Sequence, residues 1–383
     1  MQKIEFFRHN IGVREIREVN RVLRGLFLTT GREVERFEKE FAAYLDIPHV
    51  VGVTSCTAAL QLALTGLGVR PGDEVITTPM TFAATALAVM QASATPVFVD
   101  VEPETGNLDA ELIEEALTPR TKAILPVHLY GQMCDMHAIR RIADRHGLAV
   151  VEDAAHALEA ERDGVRVGEL SDAACFSFYP TKSITCGEGG AVATRSERLA
   201  CDIRRMRHHG MDKSAAERYG KDEVSYAITM MGWKYNMGNI QAALLLGQLE
   251  RVEKFLRKRT RLAARYSKKL ERVPGVKIPP LIQNCRHGWH LFTILVPPDK
   301  RQEFVRQIKA RGIGVSINYI PVHLQKFFKE KFGFRKGAFP TAEAIGASTV
   351  SLPLYAKLTI KEQDVVVHAV RELAEELNFR GCI

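Results

Sequence analysis

Short apolar runs rich in β-branched residues recur from His49 to about Thr194, and each is followed by a longer stretch with apolar positions at helical spacing. The runs are His49–Thr54, Glu74–Thr77, Pro96–Asp100, Ala123–Val127, Ala149–Glu152, Ala174–Phe178 and Ala191–Thr194. Several are apolar throughout, as strands are when helices cover both faces of a sheet. The strand–helix alternation predicts βαβ units and a mostly parallel sheet. Upstream, Val13–Leu26 and Arg32–Leu45 read as helices, an arm packing on this domain or on a partner subunit. A further helix is predicted from Asn239 to about Arg272, where Pro274, Pro279 and Pro280 end the pattern. Beyond it, the strand-like runs Leu291–Val296, Val315–Tyr319 and Thr349–Leu354 are separated by helical patterns at Arg301–Arg311 and Ile360–Leu377. The expected organisation is a large α/β domain over residues 1–250 and a small α+β domain over 251–383.

A chain of 383 residues exceeds the usual reach of one core, which agrees with two domains. Its 46% hydrophobic and 26% charged residues exclude disorder and a membrane protein. The first residues contain no apolar signal-like segment, so a cytoplasmic location is expected, with no membrane partner. Seven scattered cysteines without C-x-x-C spacing argue against disulfides and zinc; no metal is expected, and the thiols read as free and mostly buried. The net charge of +8 has its densest source in Lys254–Arg261, inside an amphipathic pattern, which reads as the solvated face of a helix. No nucleic-acid-binding motif accompanies it.

The chemistry concentrates at strand ends. Phe176-Ser-Phe-Tyr-Pro-Thr-Lys182-Ser-Ile-Thr-Cys-Gly-Glu-Gly-Gly190 is a strand that runs into a polar loop with a lysine and then a glycine-rich turn. Alone, such a lysine is an ordinary solvated residue. Val150-Val-Glu-Asp153-Ala-Ala-His156 changes that reading, because it puts carboxylates at the same C-terminal sheet edge, where open α/β sheets bind ligands. Ser55-Cys-Thr57-Ala58-Ala59 opens a helix directly after a strand, where N–H groups attract phosphate; a plain helix cap is the alternative. Phe82 follows the next strand and either stacks on a flat ligand or packs in the core. Together these supply what pyridoxal phosphate (PLP) requires: an amine for its aldehyde, an anion beside its pyridine nitrogen, a phosphate cradle and a flat neighbour.

At this point the chain resembles the sugar aminotransferases of the DegT/DnrJ/EryC1/StrS family, which have the PLP-dependent aspartate aminotransferase fold, type I. The likeness runs through Phe27–Gly31, Phe37-Glu38, Ser55–Leu60, Asp73–Ile76, Pro79–Thr85, Val97–Asp100, His128–Gly131, Glu152–His156, Phe176–Gly190 and Trp233–Met237. It implies that Lys182 is the Schiff-base and proton-transfer lysine, that Asp153 pairs with the pyridine nitrogen and that His156 lies near the phenolic oxygen. It assigns Thr57, Ala58 and Ser177 to the phosphate and Phe82 to ring stacking. Asn236 resembles an asparagine that reaches the phosphate of the neighbouring subunit, which implies a homodimer with sites at its interface. Cys56 stands where many members have glycine or alanine. Lys182 itself speaks against the dehydratase branch, which carries histidine there.

The resemblance also implies glutamate as amino donor and a nucleotide keto-sugar as acceptor. Val315–Gln325 resembles segments that face UDP-linked 4-keto-6-deoxy sugars, making Tyr319 and His323 candidate sugar contacts; the alternative is a packed tyrosine and a satisfied loop histidine. Arg207, His208, His209 and Lys234 are candidates for the nucleotide rim. Amination at C4 is favoured over C3 by resemblance alone. Three other readings compete. A Rossmann nucleotide-sugar enzyme lacks its fingerprint, since Gly66-Leu-Gly68-Val-Arg-Pro-Gly72 follows a helix. A non-catalytic homologue fits poorly with the retained lysine and aspartate. An amino-acid PLP enzyme needs a carboxylate clamp, for which Arg311 or Arg335 is available.

Overall fold

The computed structural model describes residues 3–212 and 225–379. Nine strands fall before residue 195: β1 (His49–Val53), β2 (Glu74–Thr77), β3 (Thr95–Phe98), β4 (Thr121–Ile124), β5 (Ala149–Asp153), β6 (Glu161–Arg162), β7 (Val165–Arg166), β8 (Ala173–Ser177) and β9 (Gly190–Thr194). Seven form one sheet in the order β1-β9-β8-β5-β4-β2-β3. Only β9 runs against its neighbours; the pairs β2–β3, β2–β4, β4–β5 and β5–β8 are parallel. This is the mostly parallel mixed sheet of fold type I.

Adjacent residues of each strand enter opposite cores. Val50, Ile76, Ile124, Val150 and Ala174 pack with the helices Arg32–Leu45 and Asn239–Leu249, whereas Val51, Val75, Ala123, Val151 and Ala173 pack with Cys56–Gly66 and Glu197–Met206. Coverage on both faces explains why several strands carry apolar residues at successive positions rather than at alternate ones. A further core surrounds the antiparallel pair β11 (Phe292–Leu295) and β12 (Thr349–Leu352), with Phe304, Ile308, Val366 and Val370 from two helices and Ile4 from the N-terminal segment. The helix Val252–Leu270 joins both regions, since Val252 packs in the large core while Leu262, Tyr266 and Leu270 pack in the small one. β10 (Cys285–Arg286) pairs with β6, so the chain returns to the large domain after that helix. Among the described residues no helix is long and apolar enough to cross a membrane.

Two elements depart from the sequence expectation. The helix predicted from Asn239 to Arg272 is two helices, Asn239–Leu249 and Val252–Leu270, broken where the Arg251 side chain folds back to donate to the Gly247 carbonyl and to Glu15. No glycine or proline marks the break. Val315–Tyr319 is not a strand: Ser316 alone bridges to Ser351, and the residues beyond it leave the small sheet to line a cavity.

Because β9 runs backward, its first residue lies where β1 and β8 end, with Gly190 abreast of Val53 and Ser177. A Cβ at Gly190 would sit 2.4 Å from the Ser55 carbonyl carbon and 2.6 Å from the Cys56 nitrogen, so only glycine lets this strand pass the start of the Cys56–Gly66 helix. Gly190→Ala is expected to cost roughly 1–3 kcal/mol by overpacking. Urea unfolding checks this: the midpoint should fall while the slope is unchanged.

Candidate active site

The C-terminal ends of β1, β2, β5 and β8 open onto a cavity of about 550 Å³. Thr57, Phe82, Asp153, His156, Ser177, Lys182 and Tyr319 line it, together with Phe6, Cys56, Thr85, Glu188 and His290. Strand direction alone gathers most of these groups: residues just past the ends of parallel strands share one edge however far apart they lie in sequence. Tyr319 and His290 come instead from the small domain side.

Lys182 occupies the loop after β8, and its Nζ lies 3.4 Å from His290 Nε2. Burial brings the ammonium pKa down to about 8, while Cys56 and Asp153 oppose the shift. A lysine amine in that range can both take and release a proton near neutral pH. Burial, and then the nearby Lys182 charge, hold His156 and His290 well below the ordinary histidine range, so both rings are neutral. The Tyr130 N–H donates to His156 Nδ1 at 3.2 Å, which places the ring proton on Nε2. Nε2 therefore donates to the Tyr319 hydroxyl oxygen, 3.1 Å away.

Asp153 ends β5. Burial raises its carboxyl above the usual range, against the Thr85 hydroxyl, which donates at 2.8 Å, the Ala155 N–H at 3.2 Å, and the Lys182 charge. Thr85 lies 2.8 Å from the Thr81 hydroxyl, so two hydroxyls stand in line behind the carboxylate. A buried carboxylate that burial disfavours is suited to a cationic ligand group. At the next strand end Phe82 is 62% exposed, with its ring centroid 6.0 Å from that of Tyr319. An apolar ring turned to solvent at a cavity mouth is free to cover a ligand.

The other expected residues fall elsewhere. The Ala58 N–H donates to Ser55 Oγ at 3.1 Å as a helix cap, and the Cys56 and Thr57 N–H groups, at the first two helical positions, have no intrahelical acceptor. Asn236 does not line this cavity: its amide donates to Thr30 Oγ1 at 2.7 Å. The structure does not bring His323 to the cavity either. It is fully buried, 2.9 Å from Glu343 and packed edge-on against Phe339, because the chain turns into the aromatic cluster after Tyr319. Arg207 points inward to Glu38 at 2.5 Å and the Gly52 carbonyl at 2.6 Å, which removes it from any nucleotide rim. His209 and Lys234 are exposed, with the Lys234 backbone bridged to His208. Arg311 is committed to Glu372 and Glu376 at 2.7 and 2.6 Å. The buried thiols Cys56, Cys134, Cys175 and Cys186 are unpaired, Cys201 is exposed, and Cys382 lies outside the described residues.

Among the lining groups that sequence reasoning missed are Thr85, Phe6 and His290. Thr85 was visible as a hydroxyl one helical turn beyond Thr81. Phe6 carries no local signal. His290, in Arg286-His-Gly-Trp-His290, reaches the site because Gly131 adopts φ +110° and lets the Trp289 nitrogen approach to where a Cβ would be 2.9 Å away. The Gly288 N–H donates to the Gly131 carbonyl and the His290 N–H to the Tyr130 carbonyl, at 2.7 and 3.1 Å.

An amine of lowered pKa, a buried carboxylate and helix N–H groups around one cavity fit PLP, and define the site of a fold type I PLP-dependent aminotransferase. The sequence profile of the DegT/DnrJ/EryC1/StrS aminotransferase family matches residues 9–371, and the chain belongs to that family. It is 43% identical to the spore coat polysaccharide biosynthesis protein SpsC of Bacillus subtilis, over 95% of each chain. It is 41% identical to the dTDP-3-amino-3,4,6-trideoxy-alpha-D-glucose transaminase of Streptomyces venezuelae, over 91% of this chain and 89% of that one. The solved NtdA of Bacillus subtilis, with bound cofactor PMP, superposes with a TM-score of 0.85 at 32% identity, over 98% and 86% of the two chains. The protein is a PLP-dependent sugar aminotransferase.

Proposed function

We propose that the chain transfers an amino group from glutamate to C4 of a UDP-linked 4-keto-6-deoxy sugar. The observation that carries the reading is Lys182, whose lowered pKa and place in the Asp153 cavity suit repeated proton transfer. Bound PLP supplies an electron sink that stabilises negative charge at the carbon losing its proton. Lys182 Nζ takes that proton from the donor and delivers it to the sugar carbon in the reverse half-reaction. Asp153 keeps a negative charge against the ring nitrogen, and the Cys56 and Thr57 N–H groups with Ser177 attract the phosphate. His156, fixed in one tautomer by Tyr130, holds the Tyr319 hydroxyl at the cavity wall. Phe6, Phe82, Tyr179 and Tyr319 give that wall apolar area, which suits a sugar with a methyl group in place of a hydroxymethyl.

The same reading includes a homodimer. Within the single N-terminal segment 13–26, Val13 (76% exposed), Ile16 (55%), Leu23 (53%) and Leu26 (88%) all turn large apolar side chains to solvent. Such a grouping supports a partner subunit there, with Asn236 reaching the partner's phosphate.

The relative that forms a 3-amino sugar nucleotide favours a second reading, a dTDP-linked 3-keto acceptor. The deciding experiment supplies the purified enzyme with glutamate and, in turn, UDP- and dTDP-linked 3-keto and 4-keto 6-deoxy sugars, locating the new amine by NMR. The UDP-linked 4-keto sugar is expected to lead in kcat/KM by at least about tenfold. A lead for the dTDP-linked 3-keto sugar would replace the first reading with the second. No turnover of any nucleotide keto-sugar would sink both.

A further inference from the structure

We propose that His290 is a positioning residue for Lys182, and that one buried ion pair, Glu159 with Arg259, fixes where the two meet. The inference rests on Lys182 being the reactive lysine, as read above.

A lysine side chain has four rotatable bonds and loses about 2 kcal/mol of rotamer entropy when fixed. Each cycle of transamination frees the Lys182 amine from the cofactor, and productive proton transfer then needs it aimed at one carbon. His290 Nε2, 3.4 Å away, is the acceptor that can hold it. An ammonium donates only, so a neutral imidazole meeting it must present the unprotonated nitrogen. The ring cannot turn away easily: it lies on His156, with centroids 4.3 Å apart, and His156 is pinned by Tyr130. Asp153, Cys56 and His156 face Lys182, and His156, Arg259 and His287 face His290. None of them is hydrogen-bonded to Nζ, whereas His290 is.

Both halves of the pair are anchored by the same guanidinium. Arg259 Nη2 donates to Glu159 Oε1 at 2.6 Å, to Ser183 Oγ at 3.2 Å and to the Gly288 carbonyl at 2.9 Å. Ser183 is the neighbour of Lys182 and itself donates to Glu159 Oε2 at 3.0 Å. Gly288 lies two residues before His290. Glu159 and Arg259 side chains are 0% and 5% exposed, so the pair is dry and its geometry is not diluted by water. A surface ion pair would be too mobile for such a role. Arg259 comes from the helix Val252–Leu270 that runs between the two cores, so the arrangement ties the lysine loop to the small domain.

The test uses His290→Phe, His290→Gln and Arg259→Lys, with Lys182→Ala as reference, and two measurements. The first is the apparent pKa of Lys182 in cofactor-free protein, from the pH dependence of its acetylation mapped by peptide mass spectrometry. The second is kcat and KM for the amino donor in the loaded enzyme. Removing the acceptor of the ammonium in His290→Phe is expected to lower the Lys182 pKa by about one unit. It should also reduce kcat about 10²-fold through misplacement, with KM for the donor nearly unchanged. His290→Gln keeps an acceptor and should restore most of both. Arg259→Lys, whose shorter side chain leaves its ammonium short of the place where Nη2 meets all three acceptors, should reduce kcat in the same way without a rise in KM. An unchanged pKa and kcat in His290→Phe overturns the proposal. So does a loss carried by KM, which would place His290 against the substrate. If the phenylalanine variant does not fold, His290→Asn, whose amide falls short of Nζ, replaces it under the same criteria. Turnover surviving in Lys182→Ala would refute the underlying reading instead, a result separate from any behaviour of His290.

Discussion

Replacement of Lys182 by alanine is expected to reduce transamination by more than about 10⁴-fold, the upper end of what one positioned acid–base group contributes. Lys182→Arg should be equally inactive, although it preserves positive charge and length, because guanidinium does not release its proton at ordinary pH. The comparison separates proton transfer from electrostatics: a residue needed only as a cation would be rescued by arginine. The wild-type amine should behave as a group with a pKa of about 8 in cofactor-free protein. Its reactivity toward an acylating reagent should therefore be low below that pH, where it is an ammonium, and rise through it as the neutral amine forms. An exposed lysine would begin to react about two units higher. The measurements are single-turnover rates, the visible absorption of the cofactor-loaded protein, and the acylation profile. Retention of more than about 1% of turnover in Lys182→Arg would remove Lys182 from the chemistry.

What sequence made legible follows from what is local. Strand ends are local, and a parallel sheet converts them into one edge, so Lys182, Asp153, Thr57 and Phe82 are assembled by strand direction alone. The mixed sheet was readable for the same reason, since runs that stay apolar at successive positions, such as Ala149–Val151, require cover on both faces. Contacts made by loops across the two domains were not readable. His290 arrives through the left-handed backbone of Tyr130 and Gly131, which no spacing announces. His323 is a candidate sugar contact through the resemblance of Val315–Gln325 to sugar-facing segments, yet the turn after Tyr319 sends it to Glu343. Arg207 is a candidate for the nucleotide rim by resemblance, while the geometry of Glu38 claims it for the core. Val315–Tyr319 had strand-like composition, but its polar groups serve the cavity and the Tyr130 hydroxyl rather than a ladder. In each case a tertiary partner overrode a local preference.

Asp153→Asn is expected to separate stability from function. In the cofactor-free protein the carboxyl pKa is raised by burial, so the folded state pays for the ionised form at pH 7. The sign is that of any carboxylic acid with a raised folded-state pKa: the penalty is complete above that pKa and disappears as pH falls through it toward the unfolded value, about 3.9. Asparagine removes the charge at the same shape. The hydroxyl line can accept the change by reversing, with the new amide donating to Thr85 and Thr85 to Thr81. Cofactor-free Asp153→Asn should therefore unfold no earlier than wild type at pH 7. The loaded protein should behave oppositely, because the ring nitrogen loses its anion. Breaking a buried charge pair costs about 3–5 kcal/mol, which corresponds to roughly 10²- to 4 × 10³-fold weaker binding of PLP. The thermal stabilisation conferred by added PLP should shrink with it, since a ligand stabilises in proportion to the logarithm of its concentration over Kd. Calorimetric melts with and without PLP, and a PLP titration, read both effects. A variant that is destabilised without PLP yet binds it normally would show that Asp153 serves the fold through Thr85 rather than the cofactor.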